Sequence, residues 1–352
     1  MTTFGPLYVP APLREAVSDE AWLAAMLEAE HAVATVTGAN IPDEVFLPDR
    51  YDIAALCEEG RADSNPVVAL VRALREQAPD AHGPATSQDI LDTAAMLVAR
   101  NARTLILAEL DGAAAACAGL AEEHRSTRMA GRTLLQQARP VTFGSTAAGW
   151  LVGLVAARQR LADAVLPAQL GGPSGTLDPA LGKRFAAELG LAAAVVPWHT
   201  IRTPMAELGS ALDAVGAACA KVGLDVVLLA QNEIGEVSEA ESGGSSSMPH
   251  KRNPVSAVLA RACARLVHAN ASLLVGGEHE LQRAAGAWQA EWPALSAALG
   301  FAGGAAAAAR QSLEGLQVHA DRMAANVAGL DGEAGSAEAV VDQALAFYRA
   351  QL

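Results

Sequence analysis

Aromatic side chains are scarce in this sequence. Phenylalanine, tryptophan and tyrosine make up only 4% of the 352 residues, although 51% of the residues are hydrophobic. Alanine supplies much of the difference, as the alanine runs at residues 113–116 and 305–309 illustrate. Because alanine favours helix and lets helices pack closely, the composition predicts an all-α fold built as a long-helix bundle.

Positive charge is also scarce, and the formal net charge is −14. A nucleic acid or an anionic membrane would require a broad basic face, so we expect neither as a partner. A small anionic ligand needs only a few cations. Lys183, Lys221 and Lys251 are the only lysines, and arginine carries most of the positive charge.

The four cysteines lie too far apart for a metal or redox motif. Cys57, Cys117, Cys219 and Cys263 form no CxxC pair and no Cys/His spacing typical of zinc. We therefore expect reduced, buried thiols in a cytoplasmic protein. No signal peptide is predicted at the N terminus. The uncharged run at residues 140–157 contains threonine, serine and three glycines, and we interpret it as a buried bundle helix.

Helical periodicity divides the chain into three parts. Residues 1–93 form a small helical domain, in which Ser18 can cap a helix that Gly38 can stop. Residues 94–281 form a central domain of long helices, and residues 282–352 form a short C-terminal helical domain. The four long helices are predicted at residues 94–124, 142–165, 204–236 and 254–275.

The stretch GGSSSMPHKRNP, residues 243–254, concentrates polar groups in one short segment. It is a glycine- and serine-rich loop leading into a helix whose start is set near Pro254. Hydroxyl, imidazole, ammonium, guanidinium and amide groups converge there, and the positive end of the helix dipole suits a carboxylate. From composition alone, a solvated linker is an equally good interpretation.

The same stretch matches the signature of the fumarase/aspartase superfamily, G-S-S-x-M-P-x-K-x-N, at every fixed position. Residues 82–93 resemble the first conserved region of that superfamily, and residues 131–144 resemble the second. The chain is therefore identified as a member. The resemblance implies a homotetramer whose central helices form a common core, with each active site collecting conserved regions from three subunits.

Leu134 separates the branches of the superfamily. Fumarases, argininosuccinate lyases and adenylosuccinate lyases usually carry histidine there, and an aliphatic side chain cannot transfer a proton. The chain instead resembles the lactonising branch, the 3-carboxy-cis,cis-muconate cycloisomerases, at residues 64–68, 140–151, 197–200 and 283–292. That branch converts 3-carboxy-cis,cis-muconate to 4-carboxymuconolactone in the protocatechuate branch of the β-ketoadipate pathway. The resemblance therefore implies a reaction that needs neither a metal nor a cofactor.

The resemblance implies roles for individual residues. Ser245 would transfer the proton, Lys251 would stabilise an enolate-like intermediate, and His82 would be a ligand or an alternative acid. Gln137 stands where some cycloisomerases carry histidine, which leaves the second region without an acid. A solvent-facing role stays open for His250 and Arg252. Binding of a small polycarboxylate substrate is assigned to Thr86, Ser87, Gln88, Asn253, His250, Arg252 and Arg283.

Two other interpretations compete with the cycloisomerase. One is a fumarate-releasing lyase of the same superfamily, such as an adenylosuccinate lyase, which Leu134 and residues 283–292 oppose. The other is a catalytically silent structural relative, as the crystallins of this superfamily illustrate. Intact Ser245, Lys251 and Asn253 oppose this second alternative. No chemical role is expected for His31, His124, His268 and His319, and a structural role is expected for His199.

Overall fold

The computed structural model describes residues 4–241, 243–244, 247–248, 251–277 and 279–351. The chain is mainly helical, which confirms the all-α prediction. The α-helices are α1 Gly5–Tyr8, α2 Ala11–Ala16, α3 Asp19–Thr37, α4 Ile53–Glu59, α5 Val67–Gln77, α6 Ser87–Glu123, α7 Phe143–Ala162, α8 Pro179–Glu188, α9 Thr203–Leu229, α10 Val255–Val275, α11 Ala287–Glu314, α12 Ala320–Val327 and α13 Ala337–Arg349. The strands are β1 Arg128–Thr133, β2 Gln136–Thr142, β3 Val237–Glu239 and β4 Leu316–Val318.

Five long helices, α6, α7, α9, α10 and α11, form the central bundle. Arg202, which precedes α9, and Trp288, in the first turn of α11, both hydrogen-bond Asp92 near the start of α6. These three helices therefore start at one end of the bundle, which we call the proximal end. At the opposite, distal end α7 starts where α6 stops, since the Gly144 amide donates to the His124 carbonyl at 2.9 Å.

Glycines at seven-residue intervals bring α9 and α10 together. A Cβ added to Gly223 would lie 2.6 Å from the carbonyl oxygen of Ala257, and one added to Gly209 would lie 2.9 Å from the Cβ of Leu274. Gly216, between them, faces Val267 in the same way. The missing side chains let two backbones approach closely, and the contacts show that the helices run antiparallel.

The predicted helices form, with shifted ends. Ser18 accepts from the Ala21 amide at 3.2 Å, and Gly38, at φ 77°, ends the helix, as predicted. The helix predicted to begin at residue 94 begins at Ser87 instead, because Thr86 and Asp89 form a capping box. This helix runs through the proposed boundary at residue 93. The division into three domains stays a prediction.

The β1–β2 hairpin was not predicted. Its strands pair antiparallel from Arg128 with Thr142 to Thr133 with Gln136. The turn is made by Leu134 and Leu135, at φ 53° and 63°, a conformation in which glycine and asparagine are usual. Because the sequence carries neither residue at the turn, the usual hairpin signal is missing.

Within the described ranges, three helices, α6, α10 and α11, are long and apolar enough to cross a membrane by length and composition alone. In this structure α11 packs against both α6 and α10 within the bundle. The run at residues 140–157 lies largely in α7, a bundle helix with many buried residues, as predicted. Three of the cysteines are buried, but Cys57 is exposed, so the prediction of buried thiols is wrong for that residue.

Candidate active site

Asp89 organises the proximal end of the bundle. Its carboxylate is fully buried and accepts hydrogen bonds from the backbone amides of Gly171 and Gly172, at 2.9 and 2.8 Å. It also accepts from the Thr86 amide at 3.0 Å, and His199 Nε2 lies 2.7 Å from its Oδ1. One carboxylate thus ties the start of α6 to the glycine loop and to His199, which agrees with a structural role for that histidine.

A second buried cluster lies beside it. Arg202 donates to both oxygens of Asp92, at 2.8 and 3.0 Å, and its guanidinium also pairs with Glu291. Trp288 Nε1 donates to Asp92 at 3.0 Å. Burial raises the pKa of the Glu291 carboxyl, and the Arg202 guanidinium partly opposes this shift.

His279 belongs to this cluster. Its Nε2 lies 3.2 Å from Glu291 Oε1, and its side chain is 1% exposed. The ring orientation leaves both nitrogens without a well-aligned hydrogen bond within the described part of the chain. Sequence reasoning gave no role to His279, Arg202 or Glu291. The available signal was an acidic side chain inside an apolar helical segment, at Asp92 and at Glu291.

The structure brings the predicted residues of the first conserved region together with Arg283. Arg283 Nη2 donates to the Gly172 carbonyl at 2.6 Å, next to the loop that Asp89 holds. Thr86 and Ser87 are partly exposed at the start of α6. Gln88 lies beneath them, 2% exposed, and its amide donates to the His199 carbonyl at 2.7 Å. The assigned substrate contacts of these residues stay predictions.

His82 and Ser87 line a common cleft of about 590 Å³ with Arg72 and Arg75. His82 is 10% exposed, and its Nδ1 lies 2.7 Å from a carboxylate oxygen of Glu30. The cleft therefore presents an imidazole, a hydroxyl, two guanidinium groups and the Glu76 carboxylate, and its cationic groups can form charge-assisted hydrogen bonds with an anionic ligand.

The signature loop lies at the distal end and is closed at its base. Gly243 and Asn253 pair antiparallel, with N–O distances of 2.9 and 3.0 Å. The Asn253 side-chain amide also donates to the Gly243 and Gly244 carbonyls at 3.3 Å. Lys251 and Arg252 are exposed. Two predicted site residues, Ser245 and His250, lie outside the described residues.

The N terminus of α10 does not offer its amides to a substrate. The carboxylate of Glu239 accepts from the Ser256 amide at 3.0 Å and from the Ala257 amide at 2.9 Å, and Glu239 is 5% exposed. The expectation that this helix start holds a substrate carboxylate is therefore wrong. The protein's own carboxylate occupies the position.

The second conserved region also lies at the distal end. Arg132 of β1 donates two hydrogen bonds to the buried carboxylate of Glu236, at 2.9 and 2.8 Å, and Asn326 donates to the same group. Leu134, at the hairpin tip, is 97% exposed. Gln137 donates to the Asn326 carbonyl at 3.1 Å. The hairpin is thereby fixed to the segment that follows α9.

One chain does not bring the first region and the signature loop together. The first region lies at the start of α9 and the signature loop near its end, and α9 contains 27 residues. At a rise of about 1.5 Å per residue, the two regions are separated by about 40 Å.

A bundle of long helices that carries the first conserved region, the second conserved region and the signature loop, in this order, is typical of one superfamily of enzymes. The model of the Lyase family matches residues 58–268. The chain belongs to the fumarase/aspartase superfamily.

Several individual relatives are similar to this chain over most of its length. A nitrosuccinate lyase of Streptomyces davaonensis is 45% identical over 92% of this chain and 76% of the relative. A 3-carboxy-cis,cis-muconate cycloisomerase of Pseudomonas aeruginosa is 41% identical over 92% of this chain and 77% of the relative. The crystal structure of the 3-carboxy-cis,cis-muconate lactonizing enzyme from Pseudomonas putida superposes with a TM-score of 0.86 at 32% identity, covering 99% of this chain and 90% of that one. These similarities support an enzyme of this superfamily.

Proposed function

We propose that the chain is a 3-carboxy-cis,cis-muconate cycloisomerase. The observation that carries the proposal is the buried cluster of Asp92, Arg202, Glu291 and Trp288. Trp288 and Glu291 lie in the block at residues 283–292, by which the sequence resembles the lactonising branch. The cluster packs that block against the first conserved region. The similarity to the lactonizing enzyme over nearly the whole chain supports the same assignment.

Lactone formation places defined demands on the site. One substrate carboxylate attacks an alkene carbon, a C–O bond forms, and the π electrons move to the neighbouring carbon. A proton then joins that carbon, so a trianion and one proton become a dianionic lactone. Lys251 would stabilise the intermediate charge, and Ser245 or His82 would deliver the proton. The remaining carboxylates would meet the cations and hydroxyls of the two regions.

We also propose that each site assembles between copies of the chain in a homotetramer. The roughly 40 Å between the start and end of a 27-residue helix supports this arrangement, because no substrate of this size reaches both regions of one chain. The proximal end of one copy would face the signature loop and the hairpin of others. A small polycarboxylate as the ligand and a cytoplasmic location belong to the same proposal.

A second candidate function is elimination from nitrosuccinate. The 45% identity to a nitrosuccinate lyase favours it. Loss of a proton and of nitrite from nitrosuccinate would give fumarate, again through an anion that a neighbouring carboxylate stabilises. The two reactions differ in proton balance, since lactone formation takes up one proton per turnover and elimination releases one.

The test offers the purified protein 3-carboxy-cis,cis-muconate, nitrosuccinate and adenylosuccinate in separate, weakly buffered assays. The proposal predicts loss of the conjugated-diene absorbance with proton uptake, and no such loss with Ser245→Ala. Fumarate release from nitrosuccinate, without any reaction of the muconate, would replace the cycloisomerase with the second candidate. Fumarate release from adenylosuccinate alone would overturn both.

A further inference from the structure

We propose that Glu30 is a positioning residue that holds His82 as the proton donor of the active site. The inference rests on the proposed function, and among the described residues it assigns proton delivery to His82. In this proposal Glu30 does not contact the substrate. Glu30 acts on the reaction only through the imidazole of His82.

The Glu30 carboxylate is buried and lies close to His82. Its side chain is 0% exposed within α3, and Oε1 lies 2.7 Å from His82 Nδ1. The other oxygen, Oε2, is buried and has no hydrogen-bond partner among the residues that the structure describes. A buried carboxylate with one partner is costly unless that partner is a cation. The pair therefore holds the His82 ring with Nδ1 directed to the buried carboxylate.

The backbone of His82 supports a positional role. Its φ is 72°, in the left-handed region that residues other than glycine seldom adopt. The turn is closed by the Ala85 amide, which donates to the His82 carbonyl at 3.0 Å, and Arg75 Nε donates to the Ala81 carbonyl just before it. Strained backbone of this kind tends to be retained where a side chain must be held in one place.

The cleft gives a ligand access to the other ring nitrogen of His82. With Nδ1 directed to Glu30, Nε2 is the ring nitrogen that remains for a ligand in the cleft that His82 lines with Ser87. The other charged groups that line the cleft are Arg72, Arg75 and Glu76, and Arg72 is paired with Glu59 outside the cleft. The two guanidinium groups can form charge-assisted hydrogen bonds with an anionic substrate.

The second conserved region offers no histidine or carboxyl group as a proton donor. Leu134 and Gln137 stand where relatives carry histidine, and residues 131–144 contain no histidine or acidic side chain. The proton must therefore come from elsewhere. In the proposed step the Nε2–H bond of His82 breaks as the new C–H bond forms, and neutral His82 then regains a proton from solvent. The electron pair that accepts the proton is the one displaced by formation of the C–O bond.

The experiment compares Glu30→Gln, Glu30→Asp and His82→Gln with a matched control. The control is Asp43→Asn, which removes the carboxylate from the exposed His31–Asp43 pair, 3.2 Å apart. His82→Gln should lower kcat by about 100- to 10,000-fold, the usual contribution of a general acid. Glu30→Gln should lower kcat at least about tenfold with KM changed less than about threefold. Its pH profile should also differ from that of the wild type.

Glu30→Asp should recover part of the lost rate, and Asp43→Asn should match the wild type. A Glu30→Gln variant with unchanged kcat and an unchanged pH profile would overturn the inference. Equal losses in Glu30→Gln and Glu30→Asp, with the wild-type pH profile retained, would also overturn it, because a purely structural role predicts that result.

A second readout does not need turnover. Diethyl pyrocarbonate acylates only the unprotonated imidazole, and mass spectrometry of the peptide containing His82 measures the extent. Acylation should be faster in Glu30→Gln than in the wild type, because Nδ1 no longer bonds a carboxylate. Equal rates would contradict the inference. If the wild type converts none of the three substrates, the proposed function fails, whereas the acylation rates still test the Glu30–His82 pair.

Discussion

At the scale of single residues, buried carboxylates hold the loops of this protein in place. Asp89 orders the start of α6, Glu236 fixes the hairpin, and Glu239 occupies the start of α10. Each accepts at least two hydrogen bonds from groups outside its own element. A carboxylate is suited to this because it accepts several hydrogen bonds at once and each bond to it is charge-assisted.

Replacing Asp89 with asparagine tests this role. The amide group would turn a donor toward backbone N–H groups, so we expect the free energy of unfolding to fall by about 2–4 kcal/mol in urea titrations. Asp178→Asn is the matched control. Asp178 caps α8 through one exposed bond to the Ala180 amide at 2.9 Å, and its loss should cost less than about 1 kcal/mol. Equal losses in the two variants would contradict the role given to Asp89.

Sequence predicted local residue contacts and missed distant ones. Ser18 and Gly38 were found because a helix cap depends on neighbours within a few positions. Glu30 pairs with a histidine 52 positions away, and His279, which lies outside any helix, is placed beside Glu291 of α11. No spacing rule connects such residues, so their partnership had to come from the structure.

At the scale of elements, the long helices were predictable and the hairpin was not. Four long periodic segments gave helices whose existence was confirmed, and only their ends moved. The hairpin turn at Leu134 and Leu135 lacks the glycine or asparagine by which such turns are usually recognised in a sequence. The hydrogen bonds from Arg132 to Glu236 that hold the hairpin also cannot be predicted from the local sequence, because the two residues are far apart in the chain.

The base of the signature loop allows a test at the scale of elements, because the neighbouring glycines Gly243 and Gly244 have different surroundings. A Cβ at Gly243 would clash with Val255 Cγ1, whereas one at Gly244 would have no neighbouring atom within 4 Å. Val255 is β-branched and has one preferred rotamer in a helix, so it cannot easily move aside. Gly243→Ala should therefore displace the loop and remove most activity, while Gly244→Ala stays active.

Circular dichroism and urea unfolding should show that both glycine variants keep the bundle. The double variant Gly243→Ala/Val255→Ala should recover activity, since the shorter side chain leaves space for the added methyl group. Full activity in Gly243→Ala would show that the close approach of Gly243 to Val255 does not hold the loop.

At the scale of the whole molecule, the superfamily resemblance predicted the fold and the sequence order of the conserved regions. It implied sites shared between subunits, but it could not show which region lies at which end of the bundle, because that depends on how the helices run. Because α6, α9 and α11 start at the proximal end, the first region lies there, and the signature loop and hairpin lie at the other end. The proposed site therefore needs more than one copy of the chain.

Mixing two inactive variants tests this claim most directly. His82→Gln damages only the proximal half of a site, and Ser245→Ala damages only the signature loop. If sites form between copies, oligomers assembled from both variants contain some sites with an intact residue of each kind. Differently tagged chains, mixed by joint refolding and purified by both tags, should then show turnover that neither parent shows. Purified mixed oligomers without turnover would contradict the shared site.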